Sequence, residues 1–561
     1  ATNSKLKIKR MKFSFLFVAQ LVSVATARSK PNVLVLLADD FGFADLGVTA
    51  ALSGTRQLDT PNLDGLANKG VLFTSWYAGF HICSPSRAGL LTGRNPVRIG
   101  TAGNSWLGDV FRSGSVGGLP RSEKTIANLA KDHGYMTAMV GKWHLGSRKK
   151  YNPLHYGFDQ FFGIPYSVDV GRTRWTETLM VPYDQNAVAQ PVLEGQDIVE
   201  QPAVLATFTE RLTDHATSFI SKAVDAGKPF LLYFAFGHAH VPQFRSEKFC
   251  DSKFGPYGGA VREMDHYAGQ MLKVLEEQGV ENNTFVIFTS DNGPWQSLGY
   301  MQGGSAGLFR DGKGTTWEGG YRVPAIVRYP PLTNSLEGVH MDQILSSFDI
   351  YPTIRHLLAG LETNPSTSDE QDNGKILDGK SFLPLLSSGN RHRDIVINEC
   401  FFYYKGPNYN ETWDITKSPP IRNNSTDKVG LWAVRCGDYK MHFIINPIPY
   451  RYRYEDPANY EILKQPFLFN LKTNPEEFPI LAVDPSSVEY KTQSEYILGH
   501  IRDHLSSFKY PRVNQIARGK RNKYHLCNLA VCVGCTWNCT IPPGFKWDEA
   551  DKVCPGDIIT R

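Results

Sequence analysis

Four times along the chain, an unbroken apolar run ends and chemically capable polar residues follow at once. Residues 32–38 end in Asp39-Asp40, and residues 135–140 run into Gly141-Lys142-Trp143-His144. Residues 229–236 lead to His238 and His240, and residues 284–289 lead to Asp291-Asn292. Runs without polar alternation read as strands buried on both faces, which implies parallel strands covered by helices. Helical patterns over 60–70, 125–133, 205–226 and 261–278 lie between or beside them, the alternation of an α/β sheet. In an open α/β sheet, ligands bind outside the carboxyl ends of the strands. The four polar groups are therefore expected to meet on one edge. Residues 324–329 are expected to close the sheet, with a helix over 347–361 after it. Residues 147–205 read as mostly irregular, apart from the compact Phe162-Gly-Ile-Pro-Tyr-Ser167.

A fifth segment faces these strand ends. Cys83-Ser-Pro-Ser-Arg-Ala-Gly-Leu-Leu-Thr-Gly-Arg94 follows a strand-like run at 71–80. Ser84 is a good N-cap, Pro85 suits the first helical position, and Gly93 is placed to stop the helix. Cys83 and Arg87 would then lie at a helix N-terminus, which favours an anion. Cys83 could be a thiolate nucleophile or a disulfide partner. A protein-tyrosine-phosphatase loop needs five residues between Cys and Arg, and here there are three. The Gly-rich loop 303–320 brings Lys313.

Asp39, Asp40, Asp291 and Asn292 offer only oxygen ligands, which suits Ca²⁺, with Mg²⁺ second, rather than zinc. Around them would stand Arg87, Lys142, Lys313, His144 and His240. A cation, several fixed positive groups and a helix N-terminus can hold a tetrahedral oxyanion and stabilise charge developing on it. Sulfate and phosphate esters are both candidates.

Cys83-x-Pro-Ser-Arg87 with Thr92-Gly-Arg94 resembles the sulfatase signature. Asp39-Asp40, Gly141-Lys-Trp-His-Leu-Gly146, Asp291-Asn-Gly293 and Gly312-Lys-Gly-Thr-Thr-Trp-Glu-Gly-Gly320 match the same family in order. Phe162–Ser167, His238-Ala-His-Val-Pro-Gln-Phe244 and Gly307-Leu-Phe-Arg-Asp-Gly-Lys313 most resemble arylsulfatase A and invertebrate arylsulfatases. The resemblance implies an alkaline-phosphatase-like fold, with a large mixed, mostly parallel sheet flanked by helices. A smaller C-terminal antiparallel sheet with a helix would follow. It implies that a formylglycine-generating enzyme converts Cys83 to Cα-formylglycine, whose hydrated aldehyde attacks sulfur. By the same resemblance Asp39, Asp40, Asp291, Asn292 and residue 83 bind Ca²⁺, and Arg87 holds the diol. Lys142 and Lys313 bind the sulfate, and His144 orients the diol. His240 contacts the leaving oxygen, with His238 its competitor, and Ser167 lies near the site. Asp311 stands where arylsulfatase A has a Cys, so a family disulfide at this loop is not expected.

Residues 1–27 read as upstream residues and a signal peptide. Met11-Lys12 precedes the apolar stretch 13–25, and Ala25-Thr26-Ala27 is a cleavage-type triplet. Five basic side chains and no acid lie in this segment; the rest of the chain balances 55 basic with 55 acidic residues. The net charge of +5 therefore gives no reason to expect a nucleic-acid partner, and no later stretch reads as a transmembrane segment. Residues 28–390 are expected to form the catalytic domain, 391–510 a smaller α+β domain, and 511–561 a Cys-rich tail. Nine cysteines suit disulfides in the secretory route, ending in the extracellular space or the lysosome. Cys532-x-x-Cys535 also permits zinc. Asn282, Asn410, Asn423, Asn424 and Asn538 sit in glycosylation sequons. Arg518-Gly-Lys-Arg521 resembles a processing site or is an exposed linker. The expected activity is hydrolysis of sulfate esters: aryl sulfates in vitro, a sulfated lipid or carbohydrate in nature. The alternatives are a matrix protein that binds sulfated polysaccharide with little turnover, and a phosphoesterase or phosphonate hydrolase.

Overall fold

The computed structural model describes residues 30–103, 110–178, 188–296, 303–360, 371–388 apart from 373, 393–406, 413–414, 421–422, 430–446 and 460–508, and 513–518, 521, 526–528, 531, 546 and 551–554 of the tail. The expected signal peptide, Cys532, Cys535, Cys539 and the sequons at Asn410, Asn423, Asn424 and Asn538 lie outside the described residues.

The core is a mixed sheet. Its strands are β1 (Asn32–Ala38), β2 (Val71–Tyr77), β3 (Met136–Lys142), β4 (Gln160–Ile164), β5 (Val192–Glu194), β6 (Asp197–Glu200), β7 (Phe230–Ala235), β8 (Thr284–Ser290), β9 (Arg322–Arg328), β10 (Val339–Met341) and β11 (Leu345–Ser346). The order is β10-β2-β9-β8-β1-β7-β3-β4-β5-β6, with β11 on β2. β4, β3, β7, β1 and β8 are contiguous and parallel. β9 runs antiparallel between β8 and β2. Every residue of β1 is buried, as its continuous apolar run requires.

Helices cover the sheet, including α1 (Pro61–Asn68), α2 (Cys83–Thr92), α3 (Ile126–Asp132), α4 (Phe208–Asp225), α5 (Gly255–Glu277) and α6 (Ile350–Ala359). Two apolar clusters, one per face, take alternate residues of β1: Val33, Val35 and Leu37 on one side, Leu34, Leu36 and Ala38 on the other. α5 begins six residues before the expected start. Its Gly259 sits where a Cβ would lie 2.5 Å from Arg245 Nε and from the Phe249 carbonyl. Close packing therefore explains a glycine that would otherwise argue against a helix.

Residues 147–205 are more ordered than expected, because β4, β5 and β6 extend the sheet there. Three- and four-residue strands in a hairpin carry too few residues for a periodic signal. The second, four-stranded sheet is antiparallel: β12 (Cys400–Lys405), β13 (Gly430–Cys436), β14 (Tyr439–Ile445) and β15 (Glu461–Asn470). Helix α7 (Val488–Ser507) shares a core with it through Tyr490, Ile497, Leu498 and Ile501. Cys400 and Cys436 are opposed across β12 and β13 and form a disulfide.

A buried ion cluster joins the two sheets. Lys440 Nζ lies 3.0 Å from Glu318 Oε1 and 2.9 Å from Glu477 Oε1, with all three side chains fully buried. Glu318 also accepts from Tyr77 and Tyr403, and Glu477 accepts from the Glu318 N–H. Residues 551–554 return to the large sheet's surroundings: Cys554 is bonded to Cys250, and Asp551 accepts from Trp175 Nε1 and Ala206 N. Among the described residues no helix is long and apolar enough to cross a membrane.

Candidate active site

The parallel run of β3, β7, β1 and β8 puts four carboxyl ends side by side. β3 runs two residues beyond its expected end, so Lys142 is its last residue rather than part of the following loop. Gly141 makes this possible. Its φ is +106°, and a Cβ there would lie 1.9 Å from the Ala235 carbonyl of β7. Helix α2 starts at Cys83, two residues earlier than the capping pattern predicts. Ser84 does not cap it. Its hydroxyl donates to the His144 carbonyl (2.7 Å) and accepts from Phe111 N (3.1 Å), tying the helix start to the β3 loop. Gly93 ends the helix in the left-handed region, φ +68°.

Around Cys83 the charges pair. Lys142 Nζ is 2.5 Å from Asp39 Oδ2 and donates to Ser167 Oγ at 3.0 Å. Lys313 Nζ is 2.7 Å from Asp40. Arg87 holds Asp291 through Nε (2.9 Å) and Nη2 (2.8 Å), and donates Nη1 to the Lys142 carbonyl. Asn292 Nδ2 donates to Asp40 Oδ1 at 2.7 Å, and the Asp40 N–H donates to Asp291 Oδ1. Each of these side chains is nearly or fully buried.

Burial alone would raise the Asp39 carboxyl, but Lys142, His240 and Arg87 together hold it below its ordinary range. Burial, with Asp39 adding to it, raises Asp291 despite Arg87. The Cys83 thiol donates to Asp39 Oδ1 at 3.6 Å and is in no disulfide. Burial pushes it well above its usual range, with Lys142 and Lys313 opposing. That direction is the reverse of what a thiolate nucleophile requires.

His144 is buried with no hydrogen-bond partner on either ring nitrogen among the described residues. Burial, then Lys142 and Arg87, drives it well below its normal range, so it is neutral. His240 Nδ1 donates to the Val241 carbonyl at 2.7 Å, and Nε2 faces Asp40 Oδ2 at 3.4 Å. His238 is turned away. Its Nε2 bonds the Phe244 carbonyl (2.9 Å) and lies 3.6 Å from Glu263, and burial lowers it to about 3. The structure thus brings Asp39, Asp40, Cys83, Arg87, Lys142, His144, Ser167, His240, Asp291, Asn292 and Lys313 to one sheet edge and leaves His238 outside it.

Ligand atoms of Asp39, Asp40, Cys83 and His240 lie within 4.8 Å of one another and form a possible metal-binding group. Asn292 Oδ1 is buried without a partner beside them, an acceptor that a hard cation would satisfy. With three carboxylates at hand, this donor set fits an oxygen-liganded divalent ion. Two residues were not legible as site residues. Asp169 is two positions from Ser167, and its Oδ1 is 3.8 Å from His240 Nδ1. Trp295 follows the Asp291 turn and packs on His240. Asp311 has φ +56°, and its loop is tied to the Glu477 segment by Arg310 Nη1 donating to the Glu477 carbonyl (3.2 Å).

Comparison with known proteins places this geometry in context. The sulfatase family model matches residues 31–361, and that of the C-terminal region of aryl-sulfatase matches 397–541. Arylsulfatase A of Homo sapiens is 34% identical over 535 residues, 92% of this chain and 96% of that protein. Arylsulfatase G of Rattus norvegicus is 38% identical over 394 residues, 65% of this chain and 72% of that one. The crystal structure of PsFucS1 sulfatase from Pseudoalteromonas sp. superposes with a TM-score of 0.68 at 27% identity, covering 86% of this chain and 92% of that chain.

Proposed function

The chain belongs to the sulfatase family and is a sulfuric ester hydrolase; from that premise we propose that it is a calcium-dependent enzyme acting through a formylglycine made from Cys83. Asp39, Asp40, Asp291 and Asn292 would hold the Ca²⁺, which would supply positive charge beside the sulfate oxygens. As formylglycine, residue 83 would supply a hydrated aldehyde, one hydroxyl to attack sulfur and a second to release sulfate afterwards. The placement of position 83 supports this reading over a cysteine nucleophile: it sits at the centre of the charged ring, outside any disulfide, with its thiol against Asp39, and burial pushes that thiol up rather than toward the thiolate.

Each neighbour has a role that its geometry supports. Arg87 anchors residue 83 against Asp291. Lys142, steadied by Asp39 and Ser167, binds one sulfate oxygen. Lys313, steadied by Asp40, binds another. These fixed cations act on charge that grows as the ester bond breaks, in a site closed to water. His144, neutral and without a partner, accepts a hydrogen bond from the group at 83. His240, its ring held by the Val241 carbonyl through Nδ1, meets the departing oxygen through Nε2. The substrates are sulfate esters, aryl sulfates in vitro and a sulfated lipid or carbohydrate in nature. Residues 28–390 carry the chemistry, 391–510 brace it, and 511–561 clasp it. Passage through the secretory route to the lysosome or the outside accounts for the disulfides and for the exposed sequon at Asn282.

Two measurements test the proposal. Mass analysis of the peptide spanning residue 83, from the native source, should give formylglycine. Chromogenic aryl sulfate turnover should vanish in Cys83→Ala. An unmodified thiol, or turnover that survives the substitution, would overturn the mechanism; an unmodified thiol would favour binding of sulfated polysaccharide without turnover.

A further inference from the structure

Trp295 lies immediately after the Asp291-Asn292-Gly293-Pro294 turn and is half-buried. Its indole meets the His240 imidazole edge to face, with centroids 5.2 Å apart and planes at 62°. Lys313 Nζ sits 4.4 Å from the same ring centroid. One aromatic ring thus touches both the histidine assigned to the leaving oxygen and a lysine assigned to the sulfate. Those two polar groups are nearly closed off, 3% and 5% exposed, whereas Trp295 keeps part of its surface in solvent. In-line displacement sets the departing oxygen opposite the attacking one. With residue 83 attacking and His240 contacting the departing oxygen, as proposed above, that oxygen lies on the His240 side. Whatever that oxygen carries extends past His240 and along Trp295.

We propose that Trp295 is the platform for the leaving group, and that it selects sulfate esters whose alcohol is a ring with a flat apolar face. Aromatic rings and the C–H face of a pyranose share that chemistry, and an indole stacks with either. This inference rests on the sulfatase reading above. A purely structural role is the alternative, in which the indole only steadies Lys313 by a cation–π contact.

Inorganic sulfate separates the two roles, because it fills the sulfate pocket and has no leaving group. KM for 4-nitrophenyl sulfate and for a sulfated monosaccharide, and Ki for inorganic sulfate, would be measured in wild type, Trp295→Ala and Trp295→Phe. A platform predicts a rise in KM of roughly 3- to 10-fold for at least one ester in Trp295→Ala, with sulfate Ki within about twofold of wild type. The ester with the larger rise identifies the ring that the platform serves. Trp295→Phe keeps a stacking face and should restore most of the loss. A parallel rise of KM and Ki, no change in either KM, or equal losses in the Ala and Phe variants would each overturn the proposal. A wild type that turns over neither ester would instead overturn the sulfatase reading.

Discussion

Lys440→Met removes a buried cation that ties the small antiparallel sheet to the large one. Lys440 is fully buried, 3.0 Å from Glu318 and 2.9 Å from Glu477, and also donates to the Thr316 carbonyl at 2.9 Å. Methionine fills nearly the same volume without the charge, so packing changes little and two carboxylates lose their shared partner. Removing one member of a buried pair costs about 3–5 kcal/mol, because the orphaned charge stays desolvated. Glu318 keeps Tyr77, Tyr403 and Arg322, which favours the lower end. For a chain of this size, unfolding as one unit, that corresponds to a fall of about 3–5 °C in the apparent unfolding midpoint, read by circular dichroism. Lys124→Met is the control, since Lys124 and Asp132 pair with side chains 41% and 61% exposed; its midpoint should barely move. The pH dependence has a definite sign. Burial would raise both carboxyls, but Lys440 leads the interactions that hold Glu318 and Glu477 below their usual range. Groups depressed in the folded state contribute stability above the unfolded carboxyl pKa of about 4.3, and that contribution is lost as pH falls. The gap between wild type and Lys440→Met should therefore be widest near neutrality and close in acid. A gap below about 2 °C at pH 7, or one that widens in acid, would refute the argument.

Lys142→Ala and Lys313→Ala should each lower kcat for an aryl sulfate by about 10²–10³, measured on protein whose midpoint is checked first; losses under tenfold would remove both from the sulfate clamp. Ser167→Ala frees one contact of Lys142 and should cost less than either lysine, by the same assay. Cys250→Ser with Cys554→Ser opens a link spanning 304 residues and should cost about 2–5 kcal/mol, followed as the denaturation midpoint under non-reducing conditions. An unchanged midpoint would mean that the tail contacts at Trp175 and Ala206 suffice.

Several features were readable before the fold because they rest on local pattern. β1, β7 and β8 are continuous apolar runs of strand length rich in β-branched and aromatic residues, the pattern of a strand buried on both faces. The parallel order then puts their polar ends together, so most of the charged ring follows from strand ends alone. Other features depend on distant partners. Ser84 looks like an N-cap, but its hydroxyl is spent on His144 and Phe111, so the helix begins at Cys83. His238 and His240 share one loop and one residue type; only the packing of Phe244 and Glu263 against His238 separates them. β4 carries Gly163 at φ +154°, which weakened the strand signal. Glu318, Lys440 and Glu477 lie more than thirty residues apart in the chain, and nothing in the sequence pairs them. Trp295 meets His240 because the loop after β7 brings the imidazole against it, a contact that no local pattern announces.

The charge count of the site leads to one more expectation. Asp39, Asp40 and Asp291 carry three negative charges, Arg87, Lys142 and Lys313 three positive, and no side chain among them is more than 6% exposed. A divalent cation alone would leave two uncompensated positive charges in a buried space. Inorganic sulfate alone would leave two negative ones. Either excess is costly there, and together they cancel. Cation and anion should therefore bind with positive coupling, and coupling is reciprocal, commonly about 1–3 kcal/mol or 5–150-fold in affinity. Cys83→Ala keeps all six charges and removes turnover. In that variant the Ca²⁺ concentration giving half the maximal thermal shift should fall at least about fivefold when sulfate is present, with chloride at matched ionic strength as the control. Chelation should weaken sulfate binding by the same factor. Shifts from Ca²⁺ and sulfate that merely add would mean that the two ions do not share this ring of charge.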